Sequence, residues 1–361
     1  MSIWRWADWI TRVPASARIS LGEGNTPLHQ SRGIARRESL PNLFLKLENL
    51  NPSGSYKDRF AAAAVSRMVA DNQNVCLATS SGNAGAALAA YCAASGVRCR
   101  IAIVESAPQG KTKQMLAYGA ELFRVKGFGT DAEITSSTFR LLEEFGRRPG
   151  YALQISAYHY CPEAMTGCET IALETAEQAD QIDHVFCPSG GGGLCLAIAR
   201  GFQAMAAAGR LSKMPAVHCV QPEGNDTIAG SLKSGRERAC AVRCTTKVSG
   251  LQVATVIDGD EVIRACRDSG GTGHLVSDDE VYAVQKRLAR EEGVFTEPAG
   301  AVALAGVLKA VREGLVRRDA SIVCLVTGSG FKDEASLDRM IADGDCPTID
   351  PDELADKLLA S

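Results

Sequence analysis

The chain has 361 residues, of which 45% are hydrophobic, and a net charge of −3. This balance fits a globular enzyme and gives no electrostatic reason to expect binding to nucleic acid or an anionic membrane. No apolar run is long enough to span a bilayer, and the first twelve residues lack the basic start and apolar core of a signal peptide. The thirteen scattered cysteines therefore predict reduced thiols in a cytoplasmic protein. We expect no metal site, because Cys240 and Cys244 have no second pair of ligands nearby.

Strand-like and helix-like segments alternate along the chain. The predicted strands are residues 43–47, 75–79, 97–104, 121–125, 184–187, 217–221 and 321–326. The predicted helices are residues 60–70, a segment ending at 96, then 109–118, 131–145, 194–208, 276–292 and 299–311. This alternation is typical of parallel sheets with crossover helices. Residues 230–255 follow neither pattern.

The first motif places a lysine in a small-residue turn before an Ala-rich helix, Asn51-Pro52-Ser53-Gly54-Ser55-Tyr56-Lys57-Asp58-Arg59. Ser55 and Asp58 have the spacing of a helix-capping pair. The helix N-terminus disfavours the charged form of Lys57, and burial would act in the same direction. A neutral lysine can attack a carbonyl and hold a Schiff base.

Two glycine-containing turns follow predicted strands. The first reads Thr79-Ser80-Ser81-Gly82-Asn83-Ala84-Gly85, where backbone N–H groups could hold a carboxylate and Asn83 could donate to an oxygen. The second reads Pro188-Ser189-Gly190-Gly191-Gly192-Gly193-Leu194 and would let backbone amides surround a phosphate. It lacks the Gly-Lys-Ser/Thr of a nucleotide P-loop and the spaced glycines of a dinucleotide site.

The last motif, Val326-Thr327-Gly328-Ser329-Gly330-Phe331-Lys332-Asp333, offers a hydroxyl at the end of the final strand. A lysine, a carboxylate loop, a phosphate loop and a strand-end hydroxyl together suit pyridoxal phosphate. With these motifs in this order, the chain resembles the fold type II pyridoxal-phosphate enzymes, and among them the threonine synthases. The resemblance runs from about Gly22 to about Asp333.

The resemblance implies an α/β fold similar to the tryptophan synthase β subunit, with two open twisted-sheet lobes and the cofactor in the cleft between them. Residues 1–55 and 151–361 would form the large lobe, and residues 56–150 the small lobe. A homodimer acting on a small amino-acid substrate is the family expectation.

The resemblance also implies roles for individual residues. Lys57 would form the Schiff base and move the Cα proton, and Asn83 would bind the 3′-oxygen of the cofactor. Thr327, or Ser329 in its place, would face the pyridine nitrogen. The substrate carboxylate would be bound by Ser80, Ser81 and Ala84. The cofactor phosphate would be held by Gly190, Gly191, Gly192 and Gly193.

One region departs from the threonine synthase pattern. Residues 154–163 lack the arginine that binds the substrate phosphate in that family, and Glu163 would repel a phosphate. Arg59, Lys111 and Lys113 are candidates to replace it, although solvated surface positions suit the two lysines better. His159 could contact substrate or be structural.

Several functions fit this pattern. The first is a threonine synthase-like elimination with replacement at the substrate side chain, in a carbon–oxygen lyase. The four-glycine run instead resembles the serine/threonine dehydratases, which release a 2-oxo acid and ammonia. A β-replacement synthase with a non-phosphorylated substrate and a non-catalytic ligand-binding relative are further alternatives. An NAD-dependent oxidoreductase is poorly supported, because its glycine fingerprint is missing.

Overall fold

The protein is described by a computed structural model that covers residues 2–80, 82–105 and 109–359. These residues form ten strands and thirteen α-helices in an alternating order. The strands are β1 (Leu28–Gln30), β2 (Leu43–Leu47), β3 (Val75–Ala78), β4 (Arg98–Ile103), β5 (Glu121–Arg124), β6 (Tyr151–Leu153), β7 (His184–Pro188), β8 (Ala216–Pro222), β9 (Gly273–Val276) and β10 (Ile322–Val326).

Most of the helices follow strands. They are α1 (Gly33–Glu38), α2 (Lys57–Ala70), α3 (Asn83–Ser95), α4 (Gln109–Ala117), α5 (Ala132–Gly146), α6 (Pro162–Gln178), α7 (Gly193–Ala207), α8 (Ala229–Lys233), α9 (Gly259–Asp268), α10 (Asp278–Glu292), α11 (Pro298–Arg312), α12 (Glu334–Met340) and α13 (Leu354–Leu359). Among the described residues, no helix combines the length and apolar character needed to cross a membrane.

Two separate sheets confirm the α/β prediction. The larger has the order β1-β2-β10-β7-β8-β9, and all its neighbouring pairs are parallel except β1 with β2. The smaller has the order β5-β4-β3-β6 and is parallel throughout. Because parallel strands end at the same edge of a sheet, the turns after β3 and after β7 each lie at a carboxyl edge.

The pairing of strand β6 corrects the lobe boundary that we expected at residue 150. Residues 151–153 pair with β3, so they belong to the smaller sheet by hydrogen bonding. The sequence does not reveal this pairing, since β6 is only three residues long and its partner lies more than seventy positions earlier. With this boundary moved beyond Leu153, the division into two lobes remains a proposal.

Helix α2 carries Lys57 and is packed against both α3 and α6. Its alanines at positions 61 to 64 are buried and let neighbouring helices approach closely. At Gly167 of α6, a Cβ atom would lie only 2.2 Å from the carbonyl oxygen of Arg59. The small residues therefore set the position of α2, and with it the position of Lys57.

The predicted order of strands and helices agrees with the structure, and Ser277 and Glu280 form a capping box at the start of α10. The sequence analysis did not identify the short strands β1, β6 and β9, or the long helix α6. Residues 239–257, most of which lie in the unassigned region, follow an irregular path before α9. All thirteen cysteines are free thiols, and most are buried.

Candidate functional site

The turn before Lys57 is held against the last strand of the large sheet. Ser55 forms a β-bridge with Gly328, and the backbone N–H of Tyr56 donates to the carbonyl of Thr327 at 3.1 Å. The N–H of Ser329 returns a bond of 2.8 Å to the carbonyl of Gly54. The first and last predicted motifs, whose contacting residues are more than 270 positions apart, are therefore neighbours.

Lys57 is the first residue of α2, which begins three positions before the predicted helix of residues 60–70. Its Nζ atom donates to the hydroxyl of Ser156 at 2.5 Å and lies 4.6 Å from the centre of the Tyr56 ring. Ser156 was not among the predicted site residues, because a serine in an irregular loop carries no distinctive pattern. The structure thus gives the lysine amine a hydroxyl partner from the loop after β6.

The proposed cap of α2 by Ser55 and Asp58 is wrong. Asp58 instead accepts hydrogen bonds from the backbone N–H and the hydroxyl of Ser53, at 3.0 and 2.8 Å. Ser55 is held in the bridge to Gly328, and within the described residues its buried hydroxyl has no hydrogen-bond partner. Burial raises the pKa of Asp58 to about 6, against the lowering effect of the bonds from Ser53.

Arg59 was considered as a contact for a substrate phosphate, and the structure contradicts this. Its fully buried guanidinium forms hydrogen bonds of 2.7 to 2.8 Å to both Glu48 and Glu174. Burial alone would lower the pKa of Arg59, but the two carboxylates raise it above its usual value. Burial alone would raise the pKa of Glu174, but Arg59 and Lys46 lower it to about 2. Arg59 is therefore an internal ion-pair residue beneath the lysine.

The turn after β3 begins α3. Asn83 is the first residue of that helix, Ala84 is buried, and Ser80 accepts a bond of 3.2 Å from the N–H of Gly82. A Cβ atom on Gly85 would lie 2.2 Å from the Ser80 carbonyl oxygen, so only glycine permits this close turn. Ser81 lies outside the described residues.

Asn83 connects the small sheet to the large one. Its Nδ2 atom donates to Oε1 of Glu297 at 2.6 Å. Glu297 precedes α11, and its backbone N–H donates to the carbonyl of Gly328. Buried Thr327 is adjacent to that glycine in sequence. The predicted residues Asn83 and Thr327 are thus linked through Glu297, whose part in the site the sequence analysis did not identify.

The four glycines form the turn that begins α7, and Gly192 has a left-handed backbone with φ of +97°. A Cβ atom on Gly192 would lie 2.6 Å from Val262, and one on Gly190 would lie 3.0 Å from Val253. Apolar side chains therefore lie close to Gly190 and Gly192 and leave little room there for a side chain. The N–H groups at the start of α7 can bind an anion without obstruction by side chains.

Asp258 ties the glycine turn to the loop that carries Ser156. Its N–H donates to the carbonyl of Gly191, while its two carboxylate oxygens accept from the backbone N–H groups of Tyr158 and His159, each at 3.0 Å. It lies just after residues 230–255, for which the sequence predicts no regular element. Burial raises its pKa, although the two backbone bonds lower it.

The remaining candidates for a substrate phosphate contact lie elsewhere. Glu163 pairs with Arg67 at 3.1 Å and is mostly exposed, so its carboxylate is already matched by a cation. Lys113 is also exposed and lies 3.8 Å from Glu334. The side chain of Lys111 lies outside the described part of the chain. His159 is exposed, with its ring packed edge-on against Tyr160.

The four motifs converge through a few contacts. The carbonyl oxygen of Ser156 lies 3.4 Å from the Cβ position of Gly193, so the lysine partner borders the glycine turn. On the other side, Lys57 follows the turn bonded to Thr327 and Gly328, which adjoin Glu297 and Asn83. Pyridoxal phosphate needs an amine, an amide, a hydroxyl and an anion site that is free of side chains. The residues of the four motifs offer all of these groups, so they fit this cofactor.

Comparison with known proteins gives the same result. The family described as "Pyridoxal-phosphate dependent enzyme" matches residues 19–328. Threonine synthase of Methanocaldococcus jannaschii is 32% identical over 340 residues, covering 92% of this chain and 81% of the relative. Threonine synthase of Methanosarcina acetivorans is 31% identical over 342 residues, covering 93% and 81%.

A solved structure shows the same fold. The processed form of threonine deaminase isoform 2 from Solanum lycopersicum superimposes with a TM-score of 0.74 and 22% identity, covering 95% of this chain and 94% of that one. The motifs, the fold and the two sequence comparisons agree. The chain belongs to the family of pyridoxal-phosphate dependent enzymes.

Proposed function

We propose that the protein is a threonine synthase-like enzyme that eliminates a group from an amino-acid side chain and replaces it. The observation that carries this proposal is the contact between Lys57 and Ser156 at the edge of the glycine turn. It puts a nucleophilic amine beside an anion site, on a chain whose sequence relatives are threonine synthases.

In this proposal the cofactor is held at three points. Backbone N–H groups of the turn from Gly190 to Gly193 bind its phosphate, since they can donate without side-chain obstruction. Asn83 donates to the 3′-oxygen, and the Thr327 hydroxyl faces the pyridine nitrogen. When bound, pyridoxal phosphate withdraws electrons from the substrate and makes its Cα proton acidic.

The protein groups then bind substrate and move protons. Ser80 precedes α3 and Ala84 is the second residue of that helix, so N–H groups at the helix start suit a substrate carboxylate. We assign Ser81 to the same substrate contact. Lys57 accepts the proton from Cα as a neutral amine and returns it later. Ser156 holds the lysine Nζ in place before the reaction.

A second candidate is elimination alone, as in the dehydratases, with release of a 2-oxo acid and ammonia. The observation favouring it is that three of the four charged residues considered near the substrate have other partners, while the side chain of the fourth, Lys111, lies outside the described residues. Arg59 is paired inside the protein, Glu163 pairs with Arg67, and Lys113 is exposed. A phosphorylated substrate would need another cation from the site.

Product analysis distinguishes the two candidates. The purified protein with pyridoxal phosphate is given O-phosphohomoserine, serine or threonine in separate reactions. Release of inorganic phosphate together with threonine supports the first candidate. A 2-oxo acid with ammonia supports the second, and the absence of any product from the whole panel contradicts both.

The role of Lys57 is tested separately from turnover. Borohydride reduction in the presence of pyridoxal phosphate should attach the cofactor to Lys57, as measured by peptide mass. Lys57→Ala should abolish this label, while exposed Lys113→Ala should leave it unchanged. Labelling that persists in Lys57→Ala would contradict the proposal.

The finer parts of the proposal concern the cell and the assembly. We place the enzyme among the carbon–oxygen lyases of the cytoplasm, and we expect a homodimer. Reduced buried thiols support the cytoplasmic location. Light scattering of the purified protein tests whether it is a homodimer.

A further inference from the structure

Glu297 is a buried carboxylate next to the amide that would bind the cofactor. Only 2% of the residue is exposed to solvent. It occupies the N-cap position of α11, a helix within the described residues, but its side chain forms no capping hydrogen bond with the backbone of that helix. Instead its Oε1 atom accepts from Asn83 Nδ2 at 2.6 Å, although the two residues are 214 positions apart.

This contact sets the orientation of the Asn83 amide. An ionised carboxylate only accepts hydrogen bonds, so the NH₂ group of Asn83, and not its oxygen, must face Glu297. The same NH₂ group has a second hydrogen, which is free of that bond.

The backbone of the last strand is shaped to admit this carboxylate. A Cβ atom on Gly328 would lie 2.1 Å from Oε1 of Glu297 and 3.2 Å from Nδ2 of Asn83. Any side chain at this position would therefore displace Glu297 from Asn83. Gly328 follows Thr327, so the carboxylate sits between the residues expected at the two polar positions of the cofactor ring.

From these contacts we infer that Glu297 is a positioning residue, which aims the Asn83 amide at the 3′-oxygen of pyridoxal phosphate and adds negative charge beside it. The inference rests on the proposed function, because it assigns the partner of Asn83. It goes further in making the protonation of the bound cofactor depend on a residue that does not touch it.

The charged and titratable groups near Glu297 come from two other parts of the chain. Lys332, in the turn after β10, and Tyr56, beside Lys57, both interact electrostatically with Glu297. Asp58 acts on Lys332 in the same way. These groups remain in place when Glu297 alone is changed, so a Glu297 variant isolates its effect.

The test uses the holoenzyme and the substitution Glu297→Gln, which keeps the size and one acceptor oxygen but removes the charge. A negative charge beside the 3′-oxygen favours the protonated form of the bound cofactor. We therefore expect the variant to lose that proton at lower pH, by roughly one pH unit. The readout is the visible spectrum of the bound cofactor from pH 5 to 10.

Glu313→Gln is the matched control, because Glu313 is the partly exposed residue at the opposite end of α11. Its spectrum should match that of the unchanged protein. Gly328→Ala is a second variant that keeps Glu297 but displaces its carboxylate, and it should shift the spectrum in the same direction. If Glu297→Gln does not fold, Gly328→Ala alone decides.

The outcomes separate this inference from the proposed function. The inference is overturned if the folded Glu297→Gln or Gly328→Ala variant has the same spectrum as the unchanged protein at every pH. It is also overturned if the variant loses the cofactor proton at higher pH. In that case borohydride labelling at Lys57 would still support the proposed function. If Lys57 is not labelled in the unchanged protein, the proposed function fails and the inference fails with it.

Discussion

At the scale of single residues, Arg59 shows how the start of α2 is anchored. It lies two positions after Lys57 and forms buried ion pairs with Glu48, which follows β2, and Glu174 on α6. Lys46 also donates to Glu174, at 3.0 Å. Two cations therefore balance two carboxylates in the interior, and the first turn of the lysine helix is tied to a strand and a helix.

Removal of the Arg59 guanidinium should be costly, because it would leave Glu48 buried without a cation and Glu174 paired with Lys46 alone. We expect Arg59→Met to lower the free energy of unfolding by about 3–5 kcal/mol. Urea denaturation measures the change. Arg67→Met on the same helix is the control, because Arg67 pairs with Asp71 near the surface and should contribute no more than about 1 kcal/mol. Equal losses in both variants would contradict the argument.

At the scale of the elements, two features of the large sheet have consequences that can be measured. One is the glycine turn before α7, where the chain leaves β7. The other is a row of three histidines on adjacent strands, His184 on β7, His218 on β8 and His274 on β9. Their ring nitrogens lie 3.0 Å apart in both neighbouring pairs.

The glycine turn should tolerate no side chain at position 192. Gly192→Ala would force a Cβ atom to within 2.6 Å of Val262 at a φ of +97°. We expect its affinity for pyridoxal phosphate to fall by about tenfold or more, as measured by absorbance titration. Gly209→Ala, just past the C-terminus of α7, is the control: its φ is also positive, but no atom lies within 4 Å. Unchanged affinity in Gly192→Ala would exclude the turn as the phosphate site.

The histidine row should make stability depend on pH. Burial lowers the pKa of His274 to about 4 and that of His218 to about 2, with neighbouring charges adding to the shift. The unfolded chain takes up protons below pH 6.5, whereas the folded chain does not. The free energy of unfolding that these neutral, buried histidines contribute is therefore fully present above pH 6.5, and it is lost as the pH falls from 6.5 toward 4.

We expect His274→Gln to flatten this dependence by about 1.4 kcal/mol per pH unit between pH 6 and 4.5. The measurement is the free energy of unfolding in urea at several pH values. Exposed His159→Gln should leave the slope unchanged. A slope unaltered by His274→Gln would show that its imidazole is not held neutral in the folded protein.

At the scale of the whole molecule, the site exists because distant segments are held together. Asp258 precedes α9 and bonds to Gly191 on one side and to the loop of Tyr158 and His159 on the other. Lys332 donates to Gln114 of α4 at 2.7 Å, and Gln114 donates to the carbonyl of Ser53. These contacts join parts of both sheets around Lys57.

Asp258→Asn tests this connection. An asparagine offers one acceptor oxygen in place of two, so one of the two backbone N–H groups would lose its partner. We expect a loss of about 1–3 kcal/mol in stability. Because the loop carries Ser156, borohydride labelling at Lys57 should also require a higher concentration of pyridoxal phosphate. The control is Asp268→Asn, at the exposed end of α9. Full stability and normal labelling in Asp258→Asn would contradict the connecting role.

The sequence by itself determined the features that depend on local chemistry. The alternation of strands and helices follows from short-range apolar patterns, and the glycine turns follow from backbone conformations that other residues rarely adopt. The same local rules identified the lysine at the start of a helix. The family resemblance rests on these motifs and their order.

Only the tertiary structure decided how charged and polar side chains are used. Arg59 was a candidate for substrate binding until Glu174, 115 positions away, was found beside it. Ser55 has the spacing of a helix cap, but its bridge to Gly328 takes precedence. The sequence does not predict the roles of Ser156, Asp258 and Glu297, because the function of a buried polar group depends on its partners. Those partners are brought near by packing, and local sequence does not encode which they will be.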